Sequence, residues 1–162
     1  MANPTITPSI TQKMEFTYRF IHPADNPSPE TVQQIADFLY EHLEDYGDPK
    51  SQILDCLHYA LGTRPEQGGF VCLAEEAELG IVGAVVFNHT HMSGYIPENI
   101  LVYIAVHKEA RGKGLGGELM QRVIEESEGG IALHVEPDNP AARLYERMGF
   151  RSKYLEMRLE RD

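Results

Sequence analysis

The sequence predicts a single α/β domain in which helices cover the faces of a mixed β-sheet. Apolar residues recur at strand or helix spacing in successive segments, in the order β-α-α-β-β-β-α-β-α-β. The 162 residues, 42% hydrophobic and 24% charged, are enough for one domain with a buried core. No repeat and no Gly/Ser-rich linker divides the chain. We therefore expect a flexible tail at residues 1–13 and one domain over residues 14–162.

The first part of the chain predicts one strand and two helices. Residues 14–20 alternate apolar and polar side chains, which is typical of a half-buried strand. Ser28 and Pro29 suit the N-cap and first position of a helix, whose apolar positions continue as far as Gly47. A second helix is expected over residues 48–61.

The rest of the chain predicts most of the sheet. The run over residues 99–106 is almost wholly apolar, which is typical of a central strand covered on both faces. Strict alternation along it would place Ile100, Val102 and Ile104 on one face. The other expected elements are strands at 69–74, 80–89, 131–136 and 150–159, and helices at 113–127 and after Asn139.

Composition narrows the function classes. The net charge of −11 disfavours nucleic acid as a partner and would attract cationic amines. Cys56 and Cys72 lie in apolar stretches and are expected to be reduced core thiols, and no metal site is expected. No segment has the apolar length of a membrane span or signal peptide, so we expect a cytoplasmic enzyme without membrane contact.

The most specific feature is the glycine-rich segment 111–117 (RGKGLGG), which precedes an amphipathic helix. Glycine allows the backbone to turn closely around a ligand. The N–H groups at a helix start, with the helix dipole, form an anion site. Arg111 and Lys113 add positive charge, so the segment predicts a site for a pyrophosphate group.

The same glycines fit a second kind of anion site. Gly112, Gly114 and Gly117 match a dinucleotide fingerprint with Glu136 about 20 residues further on. Two observations count against a dinucleotide site. The first glycine of the fingerprint should follow its strand almost directly, but here residues 107–111 intervene. Such a fold also needs several more strand–helix units, and only 26 residues follow Glu136. A Walker A loop is excluded because no Gly-Lys-Ser/Thr follows the glycines. A glycine-rich helix start without a ligand is the remaining alternative.

Two segments, residues 106–116 (VHKEARGKGLG) and residues 139–150 (NPAARLYERMGF), resemble motifs of the GNAT superfamily of acyl-CoA-dependent N-acetyltransferases. The first segment resembles motif A, Arg/Gln-x-x-Gly-x-Gly/Ala, with Arg111, Gly114 and Gly116 at its named positions. The second segment resembles motif B. The resemblance is good over roughly residues 68–160 and is limited to the order of elements before that.

The resemblance implies a mostly antiparallel sheet of six to seven strands with about four helices. Its strands 99–106 and 131–136 would separate at their C-terminal ends, and the pantetheine arm of acetyl-CoA would lie between them. The implied reaction is direct attack by a primary amine, of a small molecule or peptide, in a ternary complex. A homodimer is also implied, with the last strand as its interface.

The resemblance assigns roles to particular residues. The Val106 N–H would lie near the thioester oxygen, and Tyr145 would protonate the leaving thiolate, since a phenol of pKa ~10 can donate to a thiolate of pKa ~8.5. The spacing of Tyr145 alone would instead indicate a core aromatic. Asn139 is one residue closer to Tyr145 than in many members, which leaves Asp138 as a substitute. The implied cofactor contacts are Ile104, Ala105, Val106, Arg111, Gly112, Lys113, Gly114, Leu115, Gly116, Gly117, Asn139 and Tyr145.

The acceptor end is less defined by the sequence. Glu98 is the candidate general base because alternation places it on the face of Ile100, with His89, His91 or a water chain as alternatives. An acidic cluster between the first two helices has two interpretations: it attracts a cationic acceptor, or it is simply a solvated helix end. Its members are Glu41, Glu44, Asp45 and Asp48.

Two further function classes are compatible with the sequence. One is an acyl-CoA-binding module without catalytic activity, which the absence of a carboxylate inside the strand 99–106 would suit. The other is a nucleotide-dependent oxidoreductase, which would have to bind NAD(H) more tightly than CoA.

Overall fold

A computed structural model describes residues 13–162, so the predicted tail lies outside the described residues except for Lys13. The strands are β1 (Thr17–Ile21), β2 (Gly69–Glu76), β3 (Gly80–His89), β4 (Asn99–Val106) and β5 (Ile131–Leu133). The α-helices are α1 (Pro29–His42), α2 (Lys50–Ala60), α3 (Leu115–Glu126) and α4 (Ala141–Arg147). Short 3-10 helices occupy Pro23–Asp25, Glu44–Tyr46 and Lys108–Ala110. The mixed α/β class and the order of these elements are as predicted.

The five strands form one sheet in the order β1-β2-β3-β4-β5, antiparallel except for the parallel pair β4–β5. β4 and β5 pair over only three positions, from Asn99 with Ile131 to Leu101 with Leu133. β4 then continues to Val106 without β5 beside it. The two strands are therefore paired at their starts and separate towards the C-terminal end of β4, as expected.

The expectation of six to seven strands is wrong, because residues 151–162 form no strand in the described part of the chain. These residues alternate in polarity, which is the pattern that predicted a final strand over 150–159. A strand also needs hydrogen bonds to a neighbouring strand. Residues 151–162 make no backbone–backbone hydrogen bond within residues 13–162. β5 is shorter than predicted and ends at Leu133.

A β-bulge in β4 corrects the predicted faces of that strand. Val86 pairs with Tyr103 and Phe87 pairs with Leu101, so Val102 is an extra residue on β4. Val102 packs with the cluster under α1 and α2, whereas Ile104 packs with the cluster under α3 and α4. The two side chains therefore lie on opposite faces of the sheet. The predicted common face of Ile100, Val102 and Ile104 is wrong, and alternation from Glu98 cannot be continued past Val102.

Each face of the sheet has its own apolar core. α1 and α2 cover one face, with Ile35, Leu39 and Leu57 fully buried. α3 and α4 cover the other face. α3 packs closely on β3 because a Cβ at Gly83 would lie 2.7 Å from the Leu119 side chain. The predicted coverage of β4 on both faces is confirmed.

Local sequence signals explain where the helices start. The Ser28 hydroxyl accepts a hydrogen bond from the Thr31 N–H at 3.1 Å, with Pro29 in the first turn.

Within the described residues no helix is both long and apolar enough to cross a bilayer. Cys56 and Cys72 are free thiols, and burial raises the pKa of each to about 11.

Candidate functional site

The glycine-rich segment forms an open backbone loop at the start of α3. Gly112 and Gly114 have φ values of 75° and 77°, in the left-handed region that only glycine adopts readily. A Cβ at either position would meet no atom within 4 Å, so conformation rather than space requires these glycines. Within residues 13–162, the N–H groups of residues 112–117 donate to no protein acceptor. Six consecutive donors with the positive end of a helix dipole can bind an anion.

The C-terminal half of β4 has an edge with no paired strand in the described residues, and this edge offers further backbone groups to the same region. The His107 N–H donates to the Val82 carbonyl at 2.7 Å, and Val106 lies opposite Gly83. In an antiparallel ladder this makes Val106 a non-hydrogen-bonded position, so its N–H and C=O point away from β3 and towards the gap beside β5. Ile104, two residues earlier, has the same orientation. Ala105 faces β3 and offers no backbone group to the gap.

Arg111 joins this loop to the end of α1. Its Nε donates to the Val106 carbonyl and its Nη2 to the His42 carbonyl, both at 3.2 Å. Its Nη1 lies 3.2 Å from Glu44 Oε1, and Lys108 Nζ lies 3.9 Å from the same atom. Glu44, predicted as part of an acceptor patch, is thus paired with Arg111 of the glycine-rich loop and lies near Lys108, which precedes that loop.

Gly116 brings α4 close to the start of α3, since a Cβ there would lie 3.3 Å from the Leu144 side chain. This contact sets α4, which carries Tyr145, against the start of α3, and the Tyr145 ring lies 6.1 Å from that of Phe150. Tyr145 is 7% exposed, and burial raises its pKa to about 12. Its hydroxyl makes no hydrogen bond within residues 13–162 and is not sealed from solvent. The phenol is therefore protonated at neutral pH and can donate.

Asn139 acts as a local cap for α4. Its Oδ1 accepts a hydrogen bond from the Ala141 N–H at 2.9 Å. Its side-chain NH₂ group donates to nothing within residues 13–162, so capping leaves it able to bind a ligand. Asp138 contributes its backbone instead, since its carbonyl accepts the Tyr46 hydroxyl at 3.2 Å.

The structure adds residues that sequence reasoning missed. Tyr46, between α1 and α2, reaches the loop before α4 and so connects these two parts of the chain. The Tyr103 hydroxyl donates to Asp48 at 2.5 Å, and burial, with this carboxylate, raises the Tyr103 pKa. The Tyr46 contact spans 92 residues, and no spacing in the sequence signals it.

Glu98 and its alternatives lie at the other end of β4. The Glu98 carboxylate accepts a hydrogen bond from the Gly130 N–H, just before β5 begins. His89 bonds to Asn99 at 2.8 Å, and His91 to the Gln67 carbonyl at 3.0 Å. Seven residues of β4 separate that end from Val106, a distance of ~23 Å at the rise of a strand. The structure does not bring these side chains together with Val106 and Tyr145.

The comparisons with known proteins agree with this geometry. A sequence profile described as an acetyltransferase (GNAT) domain matches residues 66–152, more than half of the chain. No curated protein sequence matches significantly. In residues 13–162, no three His, Cys, Asp or Glu side chains are grouped so as to hold a metal ion.

Several solved structures share the fold. An aminoglycoside N-acetyltransferase, AAC(6')-Iy, in complex with CoA has a TM-score of 0.65 at 14% identity, covering 94% of this chain and 98% of that one. A ribosomal-protein-alanine N-acetyltransferase from Brucella melitensis biovar Abortus 2308 has a TM-score of 0.58 at 18% identity, covering 90% and 99%. The NatC complex bound to Gag peptide and CoA gives 0.66 at 24% identity, covering 85% and 86%.

The profile match covers both the glycine-rich loop and α4, the two elements that the structure places side by side around the gap between β4 and β5. The chain belongs to the GNAT superfamily of N-acetyltransferases.

Proposed function

We propose that this protein transfers an acetyl group from acetyl-CoA to the primary amine of a small molecule or peptide, by direct attack in a ternary complex. The row of unbonded N–H groups over residues 112–117 carries the proposal. It lies at the start of a helix and beside the C-terminal end of β4, and the helix α4, which carries the buried Tyr145, packs against it. A pyrophosphate on these donors would direct the rest of the cofactor along β4.

The residues present fit acetyl-CoA. The N–H groups of the loop, with Lys113 and Arg111, match the charge and the acceptor atoms of a pyrophosphate. The outward backbone N–H and C=O of Ile104 match an amide of a pantetheine arm, whereas the Val106 carbonyl already accepts from Arg111. Acetyl-CoA, when bound, supplies the acyl group as a thioester. No metal has a role in this proposal.

Val106 and Tyr145 are assigned to the chemical step. The Val106 N–H points into the gap and would donate to the thioester oxygen, where negative charge develops. The Tyr145 hydroxyl would donate to the leaving sulfur. With the phenol pKa at about 12 and a thiol near ~8.5, complete proton transfer is uphill by roughly 5 kcal/mol. Tyr145 therefore acts as a hydrogen-bond donor, and the proton that finally neutralises the thiolate comes from solvent.

The amine must lose a proton before or during attack. Glu98, His89 and His91 are hydrogen-bonded at the far end of β4, so the proposal gives them no part in this step. Water in the open gap would take the proton.

The acceptor would enter at the corner between α1 and α2. Glu41 and Asp45 are exposed there, and Asp48 binds the Tyr103 hydroxyl. These carboxylates, in a chain of net charge −11, favour a cationic amine. Glu44 would act differently, as the partner of Arg111 on the cofactor loop.

An acceptor screen tests the proposal. The protein would be incubated with acetyl-CoA and a panel of polyamines, aminoglycosides, lysine derivatives and peptide N-termini. Release of CoA thiol would be read beside the mass of each acceptor. An acceptor that gains one acetyl group per thiol released supports the proposal. Tight CoA binding with no acetylated acceptor would favour the acyl-CoA-binding module, and preference for NAD(H) over CoA would favour an oxidoreductase.

A further inference from the structure

A cavity of about 430 Å³ lies at the N-terminal end of β4, where β2 begins and where β1, β3 and α3 end. The rise of a strand places it roughly 23 Å from Val106, so it is separate from the gap assigned to the cofactor. A cavity of this size is typical of sites for small molecules. Its lining includes His22, Phe70, His89, His91, Glu98 and Glu126.

Two histidines of the cavity already donate their ring protons to the protein. His91 Nε2 lies 3.0 Å from the Gln67 carbonyl, and a carbonyl can only accept, so the ring proton is on Nε2. His22 Nε2 donates in the same way to the Glu126 carboxylate at 2.9 Å. When the His91 ring is neutral, its Nδ1 is therefore left as an acceptor.

Asn99 fixes the proton of the third histidine. Asn99 is 2% exposed, and its NH₂ group donates to the carbonyls of Glu128 at 2.6 Å and Gly130 at 3.2 Å. Its Oδ1 therefore accepts from His89 Nδ1, at 2.8 Å. A neutral ring with its proton on Nδ1 keeps a lone pair on Nε2, which makes no hydrogen bond within residues 13–162. The remaining side-chain donor, the Ser127 hydroxyl, donates to a backbone carbonyl at 3.3 Å.

Carboxylates add negative charge to these lone pairs. Glu98, Glu126 and Glu128 line the cavity, and its lining in the described part of the chain contains no lysine or arginine. The N–H groups of Glu98 itself and of Gly130 donate to the Glu98 carboxylate and lower its pKa. A Cβ at Gly129 would lie 2.6 Å from Glu98 Oε2, so glycine leaves the space that this carboxylate occupies. The cavity wall is therefore negative, and its free side-chain polar atoms are acceptors.

The arrangement of these acceptors suits a molecule rather than a single ion. Within residues 13–162 no three His, Cys, Asp or Glu side chains are grouped closely enough to hold a metal ion. Aromatic rings lie between the acceptors, since the Phe70 ring centroid is 5.9 Å from that of His22 and 6.4 Å from that of His89. A ligand must therefore bring several N–H donors, a positive charge and an apolar body.

We propose that this cavity binds a small organic cation whose charged end carries several N–H groups, as an ammonium, amidinium or guanidinium does, and whose body is apolar. The N–H groups would donate to Glu98, Glu126 and His89 Nε2, and the body would lie against Phe70. The site is distinct from the acceptor corner, because α1 and α2 cover the opposite face of the sheet from α3. Nothing in this inference depends on the proposed reaction.

Benzamidine is a suitable probe, because its amidinium group carries several N–H donors on an apolar ring. Amide signals of nitrogen-15-labelled protein would be followed at about pH 8 while benzamidine, or the neutral and nearly isosteric benzamide, is added. We expect benzamidine to bind with a Kd of about 1 mM or below and to shift residues 68–70, 89–91 and 98–99 most. Benzamide should bind at least ~10-fold more weakly, since it lacks the charge. No saturable binding of benzamidine, equal binding of benzamide, or largest shifts at residues 44–48 or 112–117 would overturn the proposal.

Glu98→Gln and Glu126→Gln test the carboxylates. Glutamine keeps an oxygen that can accept from Gly130 or His22, so both variants should retain the circular dichroism of the wild type. Each should weaken benzamidine binding by at least ~10-fold. Glu125→Gln removes a charge one residue away, outside the cavity, and should leave the affinity unchanged. Wild-type affinity in Glu98→Gln and Glu126→Gln, or an equal loss in Glu125→Gln, would contradict the proposed site.

Long-range proton–nitrogen spectra of the imidazole rings test the arrangement of acceptors without any substitution. At about pH 8 we expect His89 in the form protonated on Nδ1 and His91 in the form protonated on Nε2. Benzamidine should shift the His89 Nε2 resonance as this atom accepts a hydrogen bond. A His89 ring protonated on Nε2, or a His89 Nε2 resonance that stays unchanged when benzamidine saturates the protein, would overturn the proposal.

Discussion

Arg111 in the glycine-rich loop and Glu44 after α1 form an ion pair, with Nη1 and Oε1 3.2 Å apart. Both side chains are roughly half exposed. Glu44 has a φ of 55°, which is uncommon for a residue with a side chain. The pair connects the loop assigned to the cofactor with the corner assigned to the acceptor. Its carboxylate lies where it would oppose a second anion near Arg111.

Glu44→Gln should therefore tighten acetyl-CoA binding. Glutamine keeps the size of the side chain and removes the charge that competes for Arg111. An exposed ion pair is worth ~0–1 kcal/mol, so we expect a gain of up to ~5-fold in affinity. Titration calorimetry at low salt would measure it, and the gain should shrink as salt is raised. Glu41→Gln is the matched control, since no contact joins Glu41 to Arg111. Weaker binding by Glu44→Gln would show that Glu44 helps to hold the loop in its binding form.

Arg111→Gln should weaken CoA binding by roughly 10- to 150-fold, the ~1.5–3 kcal/mol of a hydrogen bond to a charged group. Arg64→Gln, which changes an exposed arginine before β2, is the control and should leave affinity unchanged. Equal affinities for the two variants would remove Arg111 from the pyrophosphate site.

Gly114→Ala should reduce both stability and CoA affinity. The left-handed backbone at Gly114 costs an alanine ~1–2 kcal/mol, and relief of that strain would move the N–H groups of the loop. Gly80→Ala is closely matched, because Gly80 has a φ of 74° and no atom within 4 Å of its Cβ position. We expect similar losses of melting temperature in both variants, and weaker CoA binding only in Gly114→Ala. Unchanged affinity in Gly114→Ala would contradict the role of the loop.

Tyr145→Phe should lower kcat by ~10²–10³ while the KM for acetyl-CoA changes less than ~3-fold. The phenol donates to sulfur only as charge leaves the acyl group, so its loss affects turnover more than binding. Phenylalanine preserves the packing on Phe150. Tyr95→Phe, at an 84% exposed position, serves as the control. A normal kcat in Tyr145→Phe would leave Tyr145 with a structural role only.

Stability should fall as the pH drops below about 6.5, because of His42. Its side chain is buried, with Nδ1 unpaired within residues 13–162. Burial lowers the His42 pKa, and the neighbouring His107, Arg111 and Lys108 lower it further against the opposing effect of Glu41. The unfolded chain then binds a proton more readily than the folded one, so stability is present above about pH 6.5 and is lost as the pH falls towards the folded pKa.

Melting temperatures at about pH 7.5 and about pH 5.5 would measure this effect. His42→Phe keeps a ring against Phe38 and His107 and should lose less stability over that interval than the wild type. His58→Phe, at an exposed position, should behave as the wild type does. The same pH dependence in all three proteins would exclude His42 as the cause.

Local signals predicted most of the fold. Runs rich in apolar and β-branched residues gave the bounds of β3 and β4, and Ser28 with Pro29 marked the start of α1. Alternation failed at Val102, because the extra residue is defined by the pairing of β4 with β3. It also predicted a strand over 150–159 that has no partner within residues 13–162. Pairing depends on residues distant in the chain, and local periodicity carries no information about it.

In the candidate site, too, some features can be predicted from local sequence and others depend on contacts between distant residues. The backbone requirements at Gly112 and Gly114 are visible in the sequence, because few other residues adopt the φ values they need. The link from Arg111 to the His42 carbonyl spans 69 residues and depends on how α1 packs against β4. The acidic cluster was predicted as a single acceptor patch, and only the fold separates Glu44, paired with Arg111, from Asp48, bonded to Tyr103.

Nuclear magnetic resonance of nitrogen-15-labelled protein tests the central claim most directly. Backbone amide signals would be followed while acetyl-CoA, and separately NADH, is added. We expect acetyl-CoA to cause the largest shifts at the amides of residues 112–117 and at Val106, at concentrations where NADH causes none. Saturable acetyl-CoA binding that leaves the amides of residues 112–117 unshifted, or stronger binding of NADH, would contradict the account.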